Sequence, residues 1–146
     1  MSIEENKSLV RRWIDVYNTH NLDAFDAFIA PDYFDHTNNV DREGLRQLFT
    51  MGFTGFHDWH ETIEDIIAEG YKVWIRLSYT GTHTGEFMGV APTGKKVTMT
   101  GVDIYRVENG KLVEYRQVLD QLDFLKKLGI IEYTDQGKKL FKEDVM

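Results

Sequence analysis

The sequence predicts an α+β domain in which N-terminal helices cover one face of a curved antiparallel β-sheet. Three observations carry that expectation. Capped, amphipathic helical patterns fill the first third of the chain. Three runs rich in β-branched and aromatic residues follow later: Tyr71–Thr82, Lys95–Val107 and Lys111–Leu119. The Asn109-Gly110 link between the last two is a strong hairpin signal, which makes that pair antiparallel. With 146 residues the chain suits one domain over 1–146, with a core at 4–129 and a tail at 130–146. A chain of this size buries roughly 70% of its unfolded surface.

In order, Ser2-Ile3-Glu4-Glu5 has the form of a capping box. Behind it Leu9, Val10, Trp13, Ile14 and Tyr17 share one helical face. Asn21 caps a second, shorter helix whose apolar face is Leu22, Phe25, Phe28 and Ile29, and Pro31 ends it. Pro31–Val40 then reads as a loop carrying Asp32, Tyr33, Asp35 and His36. Asp41 caps a third helix with Leu45, Leu48 and Phe49 on its inner side. Glu61–Ala68 reads as a strand despite mixed periodicity, and Glu69-Gly70 as the turn that follows. The glycine-rich loop Gly81–Gly94 is too long for a tight hairpin turn. Asp120 opens a last helix through Leu122, Leu125 and Leu128, with Gly129 at its end.

Composition removes several function classes. The aromatic fraction of 13% and hydrophobic fraction of 42% are too high for a disordered chain. With no cysteine, disulfides, thiolate metal sites and cysteine nucleophiles are excluded. A net charge of −7 argues against a nucleic-acid partner held through phosphates. No positively charged leader with an apolar run and no membrane-length apolar window occurs, so the expected setting is cytoplasmic and away from the membrane.

Among residues that could carry chemistry, His57 and His60 sit with Asp58 and Glu61 in a nominal metal pattern. Residues three apart on a strand point to opposite faces, so this pair chelates poorly and no metal site is expected. The glycines of the Gly81–Gly94 loop fit neither phosphate-binding fingerprint, and no serine sits in a nucleophile elbow. What remains is Asp103, inside Gly101-Val102-Asp103-Ile104-Tyr105, facing Tyr115, Arg116 and Gln117 across the turn. A two-residue Asn-Gly turn sets Asp103 opposite Arg116. A three-residue loop with Gly110 in a bulge sets it opposite Tyr115 and aligns Gly101 with Gln117.

These residues also carry a family resemblance. Ile66–Gly70 (IIAEG), Gly81–Val97 (GTHTGEFMGVAPTGKKV), Gly101–Tyr115 (GVDIYRVENGKLVEY) and the D-x-x-x-x-L-x-x-L-G pattern ending at Gly129 resemble the SnoaL-like polyketide cyclases, also called ester cyclases, of the nuclear transport factor-like superfamily. NKSLVRRW and APDYFDH match more loosely near the N-terminus. The resemblance implies a cone in which helices fill a strongly curved sheet, and a homodimer formed through the outer sheet face. It also implies cofactor-free aldol closure of an aromatic polyketide ester by a carboxylate acid/base.

Carried across residue by residue, the family's catalytic aspartate falls on Gln117, which cannot exchange a proton near neutral pH. A pocket histidine falls on Asp103 and a pocket glutamine on Gly101. The resemblance favours the bulged register, because that puts 101, 103 and 117 on one cavity-lining face. The expected site is therefore Asp103 as base with His36, His83 or Tyr115 as polar partners. Gln117 would orient a substrate carbonyl, and Trp13, Tyr17 and Trp59 would wall an apolar pocket for a small aromatic ligand. The rival readings are a non-catalytic binding protein and a dimerising module. Homodimerisation has a second motive: Val102, Ile104, Leu112 and Val118 alternate with Met99, Tyr105, Val113 and Leu119, leaving bulky groups on both faces of the hairpin.

Overall fold

The capping box forms as the sequence implies. In the computed structural model, which describes residues 2–141, the Ser2 hydroxyl accepts from Glu5 N at 3.1 Å and Ser2 N donates back to Glu5 Oε1 at 3.3 Å. Helix α1 (Ile3–Tyr17) buries Leu9, Val10, Trp13, Ile14 and Tyr17. Asn21 caps a 3₁₀ helix, Leu22–Ala27, through a 3.2 Å bond from Asp23 N. That helix is shorter than expected, because Ile29 already opens a strand.

The segment expected to be a loop, Pro31–Val40, is largely strand. It forms β1 (Ile29–Asp35) and β2 (Val40–Asp41), joined by a turn in which Asp35 Oδ1 accepts from the backbones of Thr37 and Asn38. Pro31 is tolerated because the pairing of β1 with its neighbour shifts between Ile29 and Phe34, where a missing N–H costs no ladder bond. Asp41 then caps α2 (Arg42–Gly55), its Oδ1 accepting from Gly44 N at 2.9 Å. Asp41→Ala should lower the unfolding free energy by about 1 kcal/mol, read by urea denaturation.

Strands β3 (His60–Glu69), β4 (Lys72–Thr82), β5 (Lys96–Glu108) and β6 (Lys111–Asp120) complete a curved sheet of order β2-β1-β6-β5-β4-β3. All neighbours are antiparallel except β1 and β6, which run parallel. The inner face alternates strictly on β4, where Val73, Ile75, Leu77 and Tyr79 are buried between exposed Lys72, Trp74 and Arg76. On β3 the alternation slips at a bulge between Ile63 and Asp65, which accounts for its mixed sequence pattern.

The β5–β6 hairpin follows neither register expected from the sequence. Asn109 (φ 51°) and Gly110 (φ 74°) form a two-residue turn, with Glu108 paired to Lys111 and Val107 to Leu112. One extra residue then bulges out of β6, so Arg106 pairs with Glu114 and Asp103 lies directly opposite Gln117. Gly101 faces Leu119, not Gln117. The same bulge buries Leu112 and Val113 together, so Leu112 leaves the outer face to which its alternation had assigned it.

Trp13 packs edge-on to Phe25 with ring centroids 5.0 Å apart, and Tyr17 meets Phe49 at 5.1 Å. These rings fill the concave side between α1, α2 and the sheet. The glycine-rich loop seals one flank. Thr84 N and Gly85 N both donate to Gly55 O at the end of α2, at 3.1 and 3.0 Å. A Cβ on Gly85 would sit 2.0 Å from Thr54 O, so only glycine permits this approach.

Beyond the sheet lie α3 (Leu122–Lys127) and a short α4 (Asp135–Leu140), the latter within the tail that showed no period in sequence. The rest of that tail, residues 142–146, lies outside the described residues. No helix among the described residues is long and apolar enough to cross a membrane.

Candidate active site

A cavity of about 230 Å³ lies between α1, α2 and the inner sheet face. Its apolar wall includes Trp13, Tyr17, Phe49, Trp59 and Phe87, and its polar groups include Glu61, Asp103 and Gln117. Inner-facing positions of adjacent strands deliver these groups. Asp103 stands on β5 opposite Gln117 on β6, and Glu61 stands on β3 opposite Tyr79 on β4.

Asp103 is only 1% exposed, yet both of its carboxylate oxygens accept hydrogen bonds. Oδ1 accepts from the Tyr115 hydroxyl at 2.9 Å, the Tyr79 hydroxyl at 3.1 Å and Gln117 Nε2 at 3.1 Å. Oδ2 accepts from the Tyr105 hydroxyl alone, at 3.2 Å. The direction of these bonds is fixed by what stands behind them. Trp13 Nε1, which can only donate, gives to the Tyr105 hydroxyl at 3.2 Å; Gln117 Nε2 gives to the Tyr79 hydroxyl at 3.0 Å. These two phenols, Tyr105 and Tyr79, have their oxygens occupied as acceptors and turn their protons toward Asp103. Two chains of donors thus converge on one carboxylate, which the network holds in its ionised form.

Burial pushes the Asp103 carboxyl up from 3.8 to about 6, and the hydrogen bonds from Tyr115, Gln117, Tyr79 and Tyr105 restrain that rise. The group is therefore mainly ionised at neutral pH but close enough to it to exchange a proton. The phenols of Tyr79, Tyr105 and Tyr115 are raised by burial first and the Asp103 charge second, so they stay protonated and keep donating to Asp103. Glu61, 7% exposed, is also raised well above its ordinary value. Burial is the main cause and the Asp103 charge adds to it, while the Tyr17 hydroxyl opposes.

The expected site residues divide. Asp103, Gln117, Tyr115, Trp13, Tyr17 and Trp59 all line the one cavity. His36 does not: it follows the inward Asp35 and so turns outward, where its Nε2 meets Glu114 Oε2 at 3.5 Å. His83 is fully buried one layer behind the wall, stacked on Phe56, with Nδ1 accepting from Thr93 N at 3.2 Å. Gln117 does not offer the donor expected of it. Both amide hydrogens are committed, to Tyr79 and to Asp103, so its oxygen is what it can present to a ligand.

Sequence reasoning missed Glu61 as a cavity group. The signal was present in the alternation Trp59, Glu61, Ile63, a carboxylate between two apolar residues on one strand face. His57 and His60 are exposed while Glu61 points inward, so that group does not converge. No set of three metal-ligating side chains gathers among the described residues. Trp74, 45% exposed, belongs to the outer sheet face and not to the pocket.

Known proteins resemble the chain in sequence and in fold. The chain is 28% identical over 136 residues to the aklanonic acid methyl ester cyclase DauD of Streptomyces sp. (strain C5), spanning 88% of this chain and 84% of that protein. The nogalonic acid methyl ester cyclase of Streptomyces nogalater matches at 25% identity over 85% of this chain and 97% of its own length. Among solved structures, AclR of Streptomyces galilaeus, a candidate hydroxylase, superposes with a TM-score of 0.84 at 32% identity. The match covers 90% of this chain and all of AclR. IdmH of Streptomyces antibioticus, a candidate polyketide cyclase, gives a TM-score of 0.75 at 30% identity over 85% and 98% of the two chains. The family's sequence pattern itself matches residues 7–128, and the chain belongs to the SnoaL-like polyketide cyclase family.

Proposed function

We propose that the protein is a cofactor-free acid–base catalyst that closes a ring in a small, neutral aromatic ester by an intramolecular aldol step. The observation that carries this reading is the buried Asp103 carboxylate, held ionised by two directed donor chains on the wall of an aromatic cavity. Its Oδ2 accepts one bond only and keeps a lone pair for a substrate proton. Taking a proton from the carbon beside a carbonyl gives an enolate, whose carbon attacks a second carbonyl of the same molecule.

Charge supports the choice of an ester over a free acid. Among the described residues lining the cavity there are carboxyl groups at Asp35, Glu61 and Asp103 and no Lys, Arg or His. An anionic ligand would enter a low-dielectric site of like sign without a partner, whereas a methyl ester brings no charge.

Aklanonic acid methyl ester is the first probe, with aklanonic acid as the charged control. An aldol closure gives a product isomeric with the ester, detected by chromatography with mass spectrometry. A product one oxygen heavier would replace the reading by a hydroxylase, which the likeness to AclR favours as the second possibility. Binding without conversion would replace it by a carrier. Faster conversion of the acid than of the ester would overturn the charge argument.

We also infer a homodimer through the outer sheet face. Ile67 (60% exposed), Trp74 and Val118 (67% exposed) stand there, with Ile104 paired to Trp74 and Val102 to Val118 across the strands. Such an apolar face on a sheet whose other side is already packed fits a second copy. Sedimentation should give a dimer at micromolar concentration and a monomer for Val118→Asp; a monomeric parent chain would sink the inference.

A further inference from the structure

We propose that Glu61 is the proton donor of the reaction: as Asp103 takes a proton from carbon, Glu61 delivers one to the carbonyl oxygen under attack. This rests on the cyclase reading above and adds to it a second catalytic group.

The first observation is the commitment of the donors that surround Asp103. The Trp13 indole, the Tyr79, Tyr105 and Tyr115 hydroxyls and the Gln117 amide are all engaged in holding Asp103. None is free to meet the negative charge that develops on the attacked oxygen. An aldol closure needs that charge quenched, because an alkoxide left in an apolar cavity containing carboxylates would be strongly disfavoured.

The second observation is how Glu61 is held. It lies on β3, the edge strand of the sheet, where one side of the backbone has no strand partner. Asn18, which follows α1, takes that side. Its Nδ2 donates to Glu61 O at 2.9 Å, and its Oδ1 accepts from Glu61 N at 2.8 Å. A single amide clamps both backbone groups and fixes the residue whose side chain enters the cavity. No cation lines the cavity among the described residues, and so none compensates an ionised Glu61 there. The titratable groups that act on it are Tyr17 on α1, Tyr79 on β4, Asp103 and Tyr105 on β5, and Tyr115 on β6. All of them are neutral or anionic, and the burial of Glu61 beside Asp103 favours the protonated carboxyl. Two carboxyl groups in one cavity, one held ionised and the other held neutral, form a base and an acid.

The step balances without a co-reactant. Asp103 removes a proton from the α-carbon, and the electron pair of that C–H bond becomes the enolate. The enolate carbon forms the new C–C bond as the carbonyl π pair moves onto oxygen, and that oxygen takes the Glu61 proton. The product is an isomeric alcohol, with Asp103 protonated and Glu61 ionised. The proton returns from Asp103 to Glu61 through solvent as product leaves.

The test uses the full chain, Glu61→Gln and Asp103→Asn, with aklanonic acid methyl ester as probe and infrared spectroscopy of the ligand-free proteins near neutral pH. The C=O stretch of a protonated carboxyl is expected in the parent chain and in Asp103→Asn, and is expected to vanish in Glu61→Gln. Glu61→Gln should lower kcat by at least about 100-fold with little change in KM, and should lose the alkaline limb of the pH profile. A parent chain without that band, a band that survives in Glu61→Gln, or full turnover by Glu61→Gln overturns the proposal. A parent chain that leaves the ester untouched overturns the cyclase reading instead, and the infrared result still decides whether Glu61 holds a proton to give.

Discussion

Asp103→Asn should lower turnover of the probe ester by about 10²–10⁴-fold, the usual contribution of a general base, while the ester still binds. The substitution preserves shape but removes the charge on which Tyr115, Tyr79, Gln117 and Tyr105 converge. Nor can an amide take up the protons these donors present, because one of its two ends is itself a donor. In the parent chain, kcat/KM should rise with pH through about 6, as Asp103 gives up its proton. That acid limb should be absent from whatever activity the variant retains. Steady-state kinetics from mildly acidic to mildly alkaline pH decides it, and a variant with parental rate would remove Asp103 from the mechanism.

The fold itself should weaken as pH rises from about 4 through about 6, opposite to the common acid-denaturation pattern. Asp103 binds its proton more tightly in the folded chain, about 6 against 3.8. A group of that kind contributes its full stability below the unfolded value and loses it as pH climbs through the folded one. The rise corresponds to about 3 kcal/mol, and Glu61 acts in the same direction over a higher range. Opposing them, Asp58 is held low by Thr82, and Glu114 by Arg106. Those two contributions are lost only as pH falls below the ordinary carboxylate range, and both groups are near the surface, where they count for little. Maximum stability should therefore lie on the mildly acidic side of neutral. Urea unfolding at several pH values measures this. Glu61→Gln should flatten the decline, and a parental stability that climbs toward neutral pH would contradict the argument.

The elements legible in the sequence were those fixed by near neighbours. Ser2, Asn21 and Asp41 each cap a helix within three residues of themselves, and each does so in the structure. Asn109-Gly110 likewise marked its turn. What depends on distant partners was not legible. Strand β1 contains a proline and pairs with β6, some eighty residues away, so nothing local announces it. The bulge in β6 falls in Leu112-Val113, two ordinary strand residues, and it alone sets Asp103 against Gln117. Sequence reasoning placed both on the inner face, but through a pairing that does not occur. Glu61 was obscured for the same reason, since the slip beyond Ile63 blurs the alternation that would have marked its face. The histidines failed differently. His36 and His83 were chosen for their chemistry, and chemistry does not say which way a side chain points.

The bulge has a consequence for how such a chain can change. Side chains on a strand repeat every two residues, so one extra residue is a half-period phase shift of everything beyond it. Flatten the bulge without changing the chain length and the hairpin would close in the simple Asn-Gly register, with Arg116 set against Asp103. Tyr115, Gln117 and Leu119 would trade faces with Glu114, Arg116 and Val118. The cavity would acquire a guanidinium in place of an amide, and with it a preference for anionic ligands over neutral ones. The outer face would exchange its own groups in the same stroke. For this architecture the long steps in function are changes of register near the turn, and substitutions inside the cavity are the short ones.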